Sequence, residues 1–518
     1  MHIIDFFDYG ASLDPDAVAF WQEGQTHTFA EMQELSNRIG AAISSQTSSD
    51  NPHVAVYSPN DTVGFGCVLG TFRAGGVWVP VNARGSVSDN ADFLNTAEVQ
   101  VLFYHSSLSE AVDLFRAEVP TLELTVCLDR PNGDDPSLEQ FLREHGEGAP
   151  PDIDPDPNRL VAIFGTGGTT GKSKGVMHNN LVWETMITQM SGLMLTSEPP
   201  VHLMVAPMTH GAGGLCYILL AIGAKTIVMR QADPASILAA IEEHRVTHLF
   251  LPPTVFYAML SHPDAREHDY SSLRYFLVSA APVSPEKIKL GIDVFGPCIC
   301  QCWGQTEAPM ILTWMAPETF AEAAKEGNSQ RFYSCGKGLM QSRVSVMDDD
   351  GNILPYGATG ELVVRSNLVT QGYYKNDEAT REISEHGWHH TGDIGYQDEE
   401  GYFYIIDRKK DMIVTGGFNV FGAEVEKAIN SHPAVVDCAV VGVPDEKWGE
   451  AIKAVVQLKP GAAVSAQDLI GVCREQLGGV KAPKSVEFVE ALPRSPVGKV
   501  LKREIREKYW KGQERRVS

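Results

Sequence analysis

Basic residues are scarce in this chain. Lys and Arg number 42 against 66 Asp and Glu, leaving a formal net charge of −24 over 518 residues. A nucleic-acid-binding protein needs basic patches to neutralise phosphates, and this balance argues against one. It equally disfavours docking on an anionic membrane. Long apolar runs are absent too: nowhere do about 18 uncharged apolar residues follow one another, so no membrane span is expected. Cysteine is sparse and odd in number, nine in all, which argues against a disulfide framework. Residues 1–16 lack a basic region followed by an apolar stretch, so no secretory signal is read there. The expectation is a soluble cytoplasmic protein with an acidic surface.

What the chain does have is apolar material, 43% of its residues, and length for about three domains at roughly 150 residues each. Thr28 reads as the N-cap of an amphipathic helix over 29–43, and 53–58 and 77–81 read as buried strands. Residues 130–158 are rich in Pro, Asp and Gly and read as a surface connection. A strand at 160–164 follows, and alternating strand and helix patterns to about residue 310 favour parallel sheets. From 343 the rhythm changes to antiparallel pairs, 343–347 with 360–365, then a strand over 401–407. The last hundred or so residues mix helices (423–430, 466–477) with strands (435–443, 451–458).

The stretch from Phe164 to Gly175, FGTGGTTGKSKG, carries the most chemistry. Glycine lets backbone N–H groups approach phosphate oxygens, threonine hydroxyls add donors, and lysine neutralises charge. Two kinds of phosphate loop compete. A Walker A loop ends in Gly-Lys-Ser/Thr, as Gly171-Lys172-Ser173 does, but Thr166 stands where its first glycine belongs. Gly175 also falls where the following helix of a Walker loop would be established.

The other elements of the chain favour the second kind. Thr166 to Gly175 resembles the phosphate loop of the adenylate-forming superfamily, which includes acyl-CoA and aryl-CoA ligases, luciferases and peptide-synthetase adenylation domains. Trp303-Gly304-Gln305-Thr306-Glu307 is similar to that family's aromatic-Gly-x-Thr-Glu element, and His390-Thr391-Gly392-Asp393 to its Thr-Gly-Asp element. Residues 407–413, DRKKDMI, with Gly416 and Gly417, resemble its hinge segment; 493–499, PRSPVGK, resembles its C-terminal lysine loop. The ordered set covers nearly the whole chain.

This resemblance implies an α/β fold: a large multi-sheet N-terminal domain over 1–409 and a small mobile α+β C-terminal domain over 410–518. It implies ATP, Mg²⁺ and CoA as cofactor or co-substrates, and a carboxylic acid activated as its acyl-adenylate. Thr166, Gly167, Gly168, Thr169, Thr170, Gly171 and Lys174 would cradle the β- and γ-phosphates. Trp303 would stack on adenine, flanked by Gly304 and Gln305; Thr306 would contact the α-phosphate and Glu307 would hold Mg²⁺. Asp393 would accept the ribose hydroxyls and Arg408 would bind ribose and phosphate oxygens. Lys499 would bridge carboxylate and α-phosphate, Lys410 would be the pivot, and Gly417 would line a pantetheine tunnel.

The acyl pocket is expected at His210, Gly211 and Gly213 with Ala280 and Ala281, small walls that suit a bulky apolar acid rather than acetate. Where the family commonly carries Ser, Pro and Pro, this chain has Gly167, Ser173 and Gly422. Several alternatives stay open at this level: an enzyme that only thioesterifies a supplied acyl-adenylate, a carrier-protein thiol as acceptor, a luciferase-like oxygenase, and a Walker-type ATPase. Cys298, Cys300 and Cys302 alternate and read as one face of a strand rather than metal ligands. Asp348 to Gly351 reads as a hairpin turn rather than a calcium loop.

Overall fold

The computed structural model describes residues 1–166, 173–494 and 500–510. It divides into two compact units, one comprising Met1–Arg343 and Val364–His389, the other Val344–Val363 and His390–Ser518.

The first unit is built on two sheets. One runs Leu124–Cys127, Val101–Tyr104, His53–Tyr57, Val77–Pro80, Leu160–Thr166, Lys174–Asn179. Its strands are parallel up to Leu160–Thr166, and Lys174–Asn179 then returns antiparallel. The second sheet has a parallel core in which Ile299–Trp303, Tyr275–Val278, His248–Leu251, Val201–Met204, Lys225–Val228 and Val18–Gln22 lie side by side. Parallel neighbours require crossover connections, and helices on both faces then bury the strands. The sequences answer to this: VLFY at 101–104 is apolar on both faces, and both it and HLFL at 248–251 are buried along their length. The mixed α/β architecture expected for this part of the chain is present.

Local signals set several helices. Thr28 accepts from the Glu31 N–H and Glu31 reaches back, a capping box that starts the helix Phe29–Gln46. That helix lies close against Thr62–Arg73 because glycines remove side chains at the crossing. A Cβ at Gly70 would stand 2.3 Å from Ile39 Cγ2, and one at Gly40 would stand 2.5 Å from Arg73 Cβ. The surface connection expected over 130–158 needs correction. It contains a helix, Leu138–His145, started by a capping box between Ser137 and Gln140. The Pro and Gly content masked this short amphipathic segment, whose Leu138, Phe141 and Leu142 are buried.

The strands Gly360–Ser366, His389–Gln397 and Tyr402–Arg408 follow one another, with Ser342–Met347 beside the first. Asp348 turns the preceding hairpin by accepting from the Asp350 and Asn352 N–H groups. A further sheet orders Phe418–Val420, Ile413–Thr415, Gly449–Leu458 and Val435–Asp445, with Ser485–Val489 parallel to Gly449–Leu458. The helices Gly422–Asn430 and Ala466–Lys481 supply Val425, Ile429, Leu469 and Cys473 to its core.

Adding a methyl at the helix crossing overpacks it, so Gly70→Ala should lower stability by about 1–3 kcal/mol. Gly471, inside Ala466–Lys481, has open space where a Cβ would go, so Gly471→Ala should instead stabilise by about 0.5–1 kcal/mol. Urea unfolding of both variants checks the pair, and equal effects would contradict the packing described.

Candidate functional site

In the parallel core of the second sheet, adjacent strands all end on one edge. Leaving that edge are the loop to His210, the end of His248–Leu251, the turn at Ser279-Ala280-Ala281, and the segment Trp303–Glu307. Ligands of open α/β sheets bind at the carboxyl ends of their strands. The topology therefore gathers these sequence-predicted residues at one edge although they are far apart in the chain.

Thr166 and Lys174 close the Gly/Thr loop as the last register pair of the hairpin Leu160–Thr166 and Lys174–Asn179. Ser173, which replaces the family's usual proline, donates to the Thr166 carbonyl at 2.9 Å and staples the base. Gly167, Gly168, Thr169, Thr170 and Gly171 lie outside the described residues, as does Lys499. A strand follows this loop. A Walker A loop leads into a helix, so the hairpin argues against that alternative.

The departing strand is tied to Thr306 and Glu307. His178 Nε2 lies 2.7 Å from the Thr306 carbonyl. Burial lowers the His178 pKa to about 4, so near neutral pH the ring is uncharged and donates that proton. Tyr373 donates to Glu307 Oε1 at 2.7 Å, and the Thr370 N–H donates to the Glu307 carbonyl at 2.7 Å. Lys174 Nζ sits 4.9 Å from the Tyr373 ring centroid. Trp303 ends its strand nearly buried, and Gly304 follows where a Cβ would stand 2.7 Å from the Met310 carbonyl carbon.

His210 starts the helix Gly211–Leu220. Its ring is closely surrounded by protein, which lowers its pKa by desolvation, yet it is open to solvent. At Gly211 a Cβ would meet the Phe250 ring at 3.2 Å and Met310 Sδ at 3.5 Å. Gly213 serves a different purpose from its neighbour: a Cβ there would stand 1.7 Å from the Met208 carbonyl oxygen, so its smallness is used inside the fold. Ala280 is exposed with a φ of +75°, and Ala281 is half-buried beside it. Cys298, Cys300 and Cys302 are buried, and burial pushes the Cys302 thiol up to about 11. No group of His, Cys, Asp and Glu suited to a metal occurs among the described residues.

In the second unit Asp393 and Arg408 face each other across an antiparallel pair, with Arg408 Nε 2.7 Å from Asp393 Oδ1. The stretch His390–Asp393 of its strand is held by Glu361, a residue the sequence reading passed over. Glu361 accepts from His390 Nδ1 at 3.1 Å, the Gly392 N–H at 2.9 Å and Lys409 Nζ at 3.1 Å. The signal was present: a carboxylate inside the apolar strand GELVV is rarely buried unless partnered. Arg506 pairs with Asp411 and donates to the Lys410 carbonyl at 3.2 Å, while Lys502 pairs with Glu426 at 2.8 Å. Gly416 and Gly417 form a two-residue hairpin turn with φ of +59° and +81°, the primed geometry that demands glycine. A Cβ at Gly417 would meet nothing within 4 Å, so the backbone conformation itself requires glycine there.

Residues 7–374 match the AMP-binding enzyme family and residues 424–499 the AMP-binding enzyme C-terminal domain. The chain belongs to the AMP-binding enzyme family. A medium/long-chain-fatty-acid–CoA ligase of Mycobacterium tuberculosis is 38% identical over 368 residues, 70% of this chain and 63% of that protein, under two thirds of its length. A feruloyl-CoA synthase of an Amycolatopsis species is 32% identical over 507 residues, 96% of this chain and 97% of that one. The crystal structure of ATP-bound MatB from Rhodopseudomonas palustris superposes with a TM-score of 0.87 at 28% identity, covering 97% of this chain and 99% of that one. This AMP-binding enzyme is accordingly of the AMP-forming acid–thiol ligase class.

Burial opposes ionisation of Glu361, but the His390 and Gly392 hydrogen bonds and the Lys409 charge outweigh it and hold the carboxyl below the usual glutamate value of 4.5. A lowered carboxyl contributes stability that is fully present above that value and is lost as pH falls through the folded pKa. Glu361→Gln should cost about 1–3 kcal/mol at pH 7 and flatten the fall of melting temperature below pH 4.5. Thermal melts from pH 7 downward check this; an unchanged acid profile would contradict it.

Proposed function

We propose that this enzyme activates a bulky hydrophobic carboxylic acid, aromatic, alicyclic or fatty, and passes the acyl group to CoA. The observation that carries the reading is the tie from the strand leaving the Gly/Thr loop to the Thr306-Glu307 pair, through His178 and Tyr373. In the first step a carboxylate oxygen attacks the α-phosphorus of ATP and pyrophosphate leaves, so donors must meet the charge that develops on both phosphate groups. Thr166 to Gly171 with Lys174 serve the β- and γ-phosphates, Thr306 serves the α-phosphate, and Trp303 with Gly304 and Gln305 bounds the adenine. Asp393 and Arg408 serve the ribose, and Lys499 bridges carboxylate and α-phosphate as a point charge on a long stem. Glu307 offers the hard oxygen ligand that Mg²⁺ prefers, and its Oε2 has no hydrogen-bond partner among the described residues. A cation there would supply neutralisation of the triphosphate.

In the second step the CoA thiolate attacks the acyl carbon and AMP leaves. Lys410 is the pivot about which a C-terminal domain from 410 to 518 turns to bring Gly417 to the thiol, with Arg506 gripping the pivot at the Lys410 carbonyl. Phe250 and Met310 beside Gly211 give the acyl recess an apolar wall, which favours a hydrophobic acid. Relatives named for fatty, feruloyl and alicyclic acids support the same class. CoA is the acceptor we favour; a carrier-protein thiol would use the same step. ATP and CoA as substrates imply a cytoplasmic location, and among the described residues no helix is long and apolar enough to cross a membrane.

Acid-dependent ATP–pyrophosphate exchange should be strong with bulky apolar acids and weak with acetate. A clear preference for acetate would overturn the acyl assignment. Lys499→Ala should lower exchange by about 10²–10³-fold while sparing thioester formation from a supplied acyl-adenylate. Gly417→Leu should do the reverse. Equal loss of both steps in Lys499→Ala would contradict its role.

A further inference from the structure

The segment Thr370 to Tyr374 has no part in the steps above, yet it is woven between the two phosphate-side elements. Thr370 donates its N–H to the Glu307 carbonyl and its hydroxyl to the Met177 carbonyl at 2.6 Å. The Met177 N–H donates to the Gly372 carbonyl at 3.0 Å, and the Tyr374 N–H to the Gly175 carbonyl at 2.7 Å. Tyr373 packs with Val176 and Ala379, carries Lys174 above its ring, and ends in a hydroxyl on Glu307 Oε1.

We propose that Tyr373 is a positioning residue: its hydroxyl fixes one oxygen of Glu307 so that the other is held ready for the divalent cation that accompanies ATP. The proposal rests on Glu307 as the cation ligand. A free glutamate side chain loses rotamer freedom when it ligates, and a carboxylate already tethered at one oxygen has lost that freedom on folding. The ring under Lys174 and the hydroxyl on Glu307 belong to one side chain, so the lysine at the loop base and the carboxylate share a single support.

Tyr373→Phe keeps the ring, and with it the packing and the place beneath Lys174, while removing the tether. The test uses Mn²⁺ as a paramagnetic probe with α,β-methylene-ATP, which cannot be cleaved at the α-phosphate. Free Mn²⁺ is read by electron paramagnetic resonance for the wild type, Tyr373→Phe and Glu307→Gln. Tyr373→Phe should bind Mn²⁺ about tenfold more weakly, with the analogue's affinity in the absence of metal unchanged. In exchange assays the apparent Mg²⁺ requirement should rise by a similar factor, with kcat at saturating Mg²⁺ within about twofold of wild type. Unchanged Mn²⁺ affinity in Tyr373→Phe, where Glu307→Gln weakens it, overturns the role of Tyr373 alone. Unchanged affinity in Glu307→Gln overturns the reading of Glu307 on which the proposal stands. Equal weakening of analogue binding with and without metal in Tyr373→Phe would assign the tyrosine a structural role and also overturn it.

Discussion

The proposed phosphate site depends on one constraint: a carbonyl at Thr306 and a carboxylate at Glu307 must be held still relative to the hairpin strands Leu160–Thr166 and Lys174–Asn179. The partner of the first, His178, lies 128 residues earlier, and the partner of the second, Tyr373, lies 66 residues later. Both bonds are short, shielded and made by uncharged donors, so they hold over the physiological pH range. A buried imidazole that stayed protonated would carry a charge that burial penalises. Desolvation removes that charge and leaves a neutral donor.

Topology makes this arrangement possible. Parallel strands deliver their following loops to one edge, so residues from 210 to 307 assemble without any long structureless excursion. The hairpin that carries the Gly/Thr loop belongs to the other sheet, and its return strand supplies both Lys174 and His178. One strand thus provides a charge at the loop base and, four residues on, the anchor for Thr306. In the second unit a comparable economy holds at Glu361, where one buried carboxylate fixes the strand segment His390–Asp393 and Lys409, the neighbour of Lys410.

Much of this was legible from residue order. The strands at 53, 77 and 160, the capped helix after Thr28 and the antiparallel pair around Asp348 all follow from periodicity and turn chemistry. The helix Leu138–His145 was hidden because its flanking Pro, Asp and Gly dominate the composition of that region. Gly213 shows the limit of reading small residues as space: it is glycine because a backbone carbonyl lies against it. That fact is not visible without coordinates. His178, Tyr373 and Glu361 escaped notice because they act through other residues, and a supporting hydrogen bond leaves no spacing rule in a sequence.

The central claim is that a carboxylate oxygen attacks the α-phosphorus of ATP, and oxygen-isotope transfer tests it most directly. An accepted acid labelled with ¹⁸O in its carboxylate, incubated with ATP, Mg²⁺ and CoA, should yield AMP carrying one labelled oxygen on its phosphorus, with unlabelled pyrophosphate. Mass spectrometry of the AMP reads the result. Unlabelled AMP, or label appearing in inorganic phosphate alongside ADP, would contradict adenylation as the chemistry of this site.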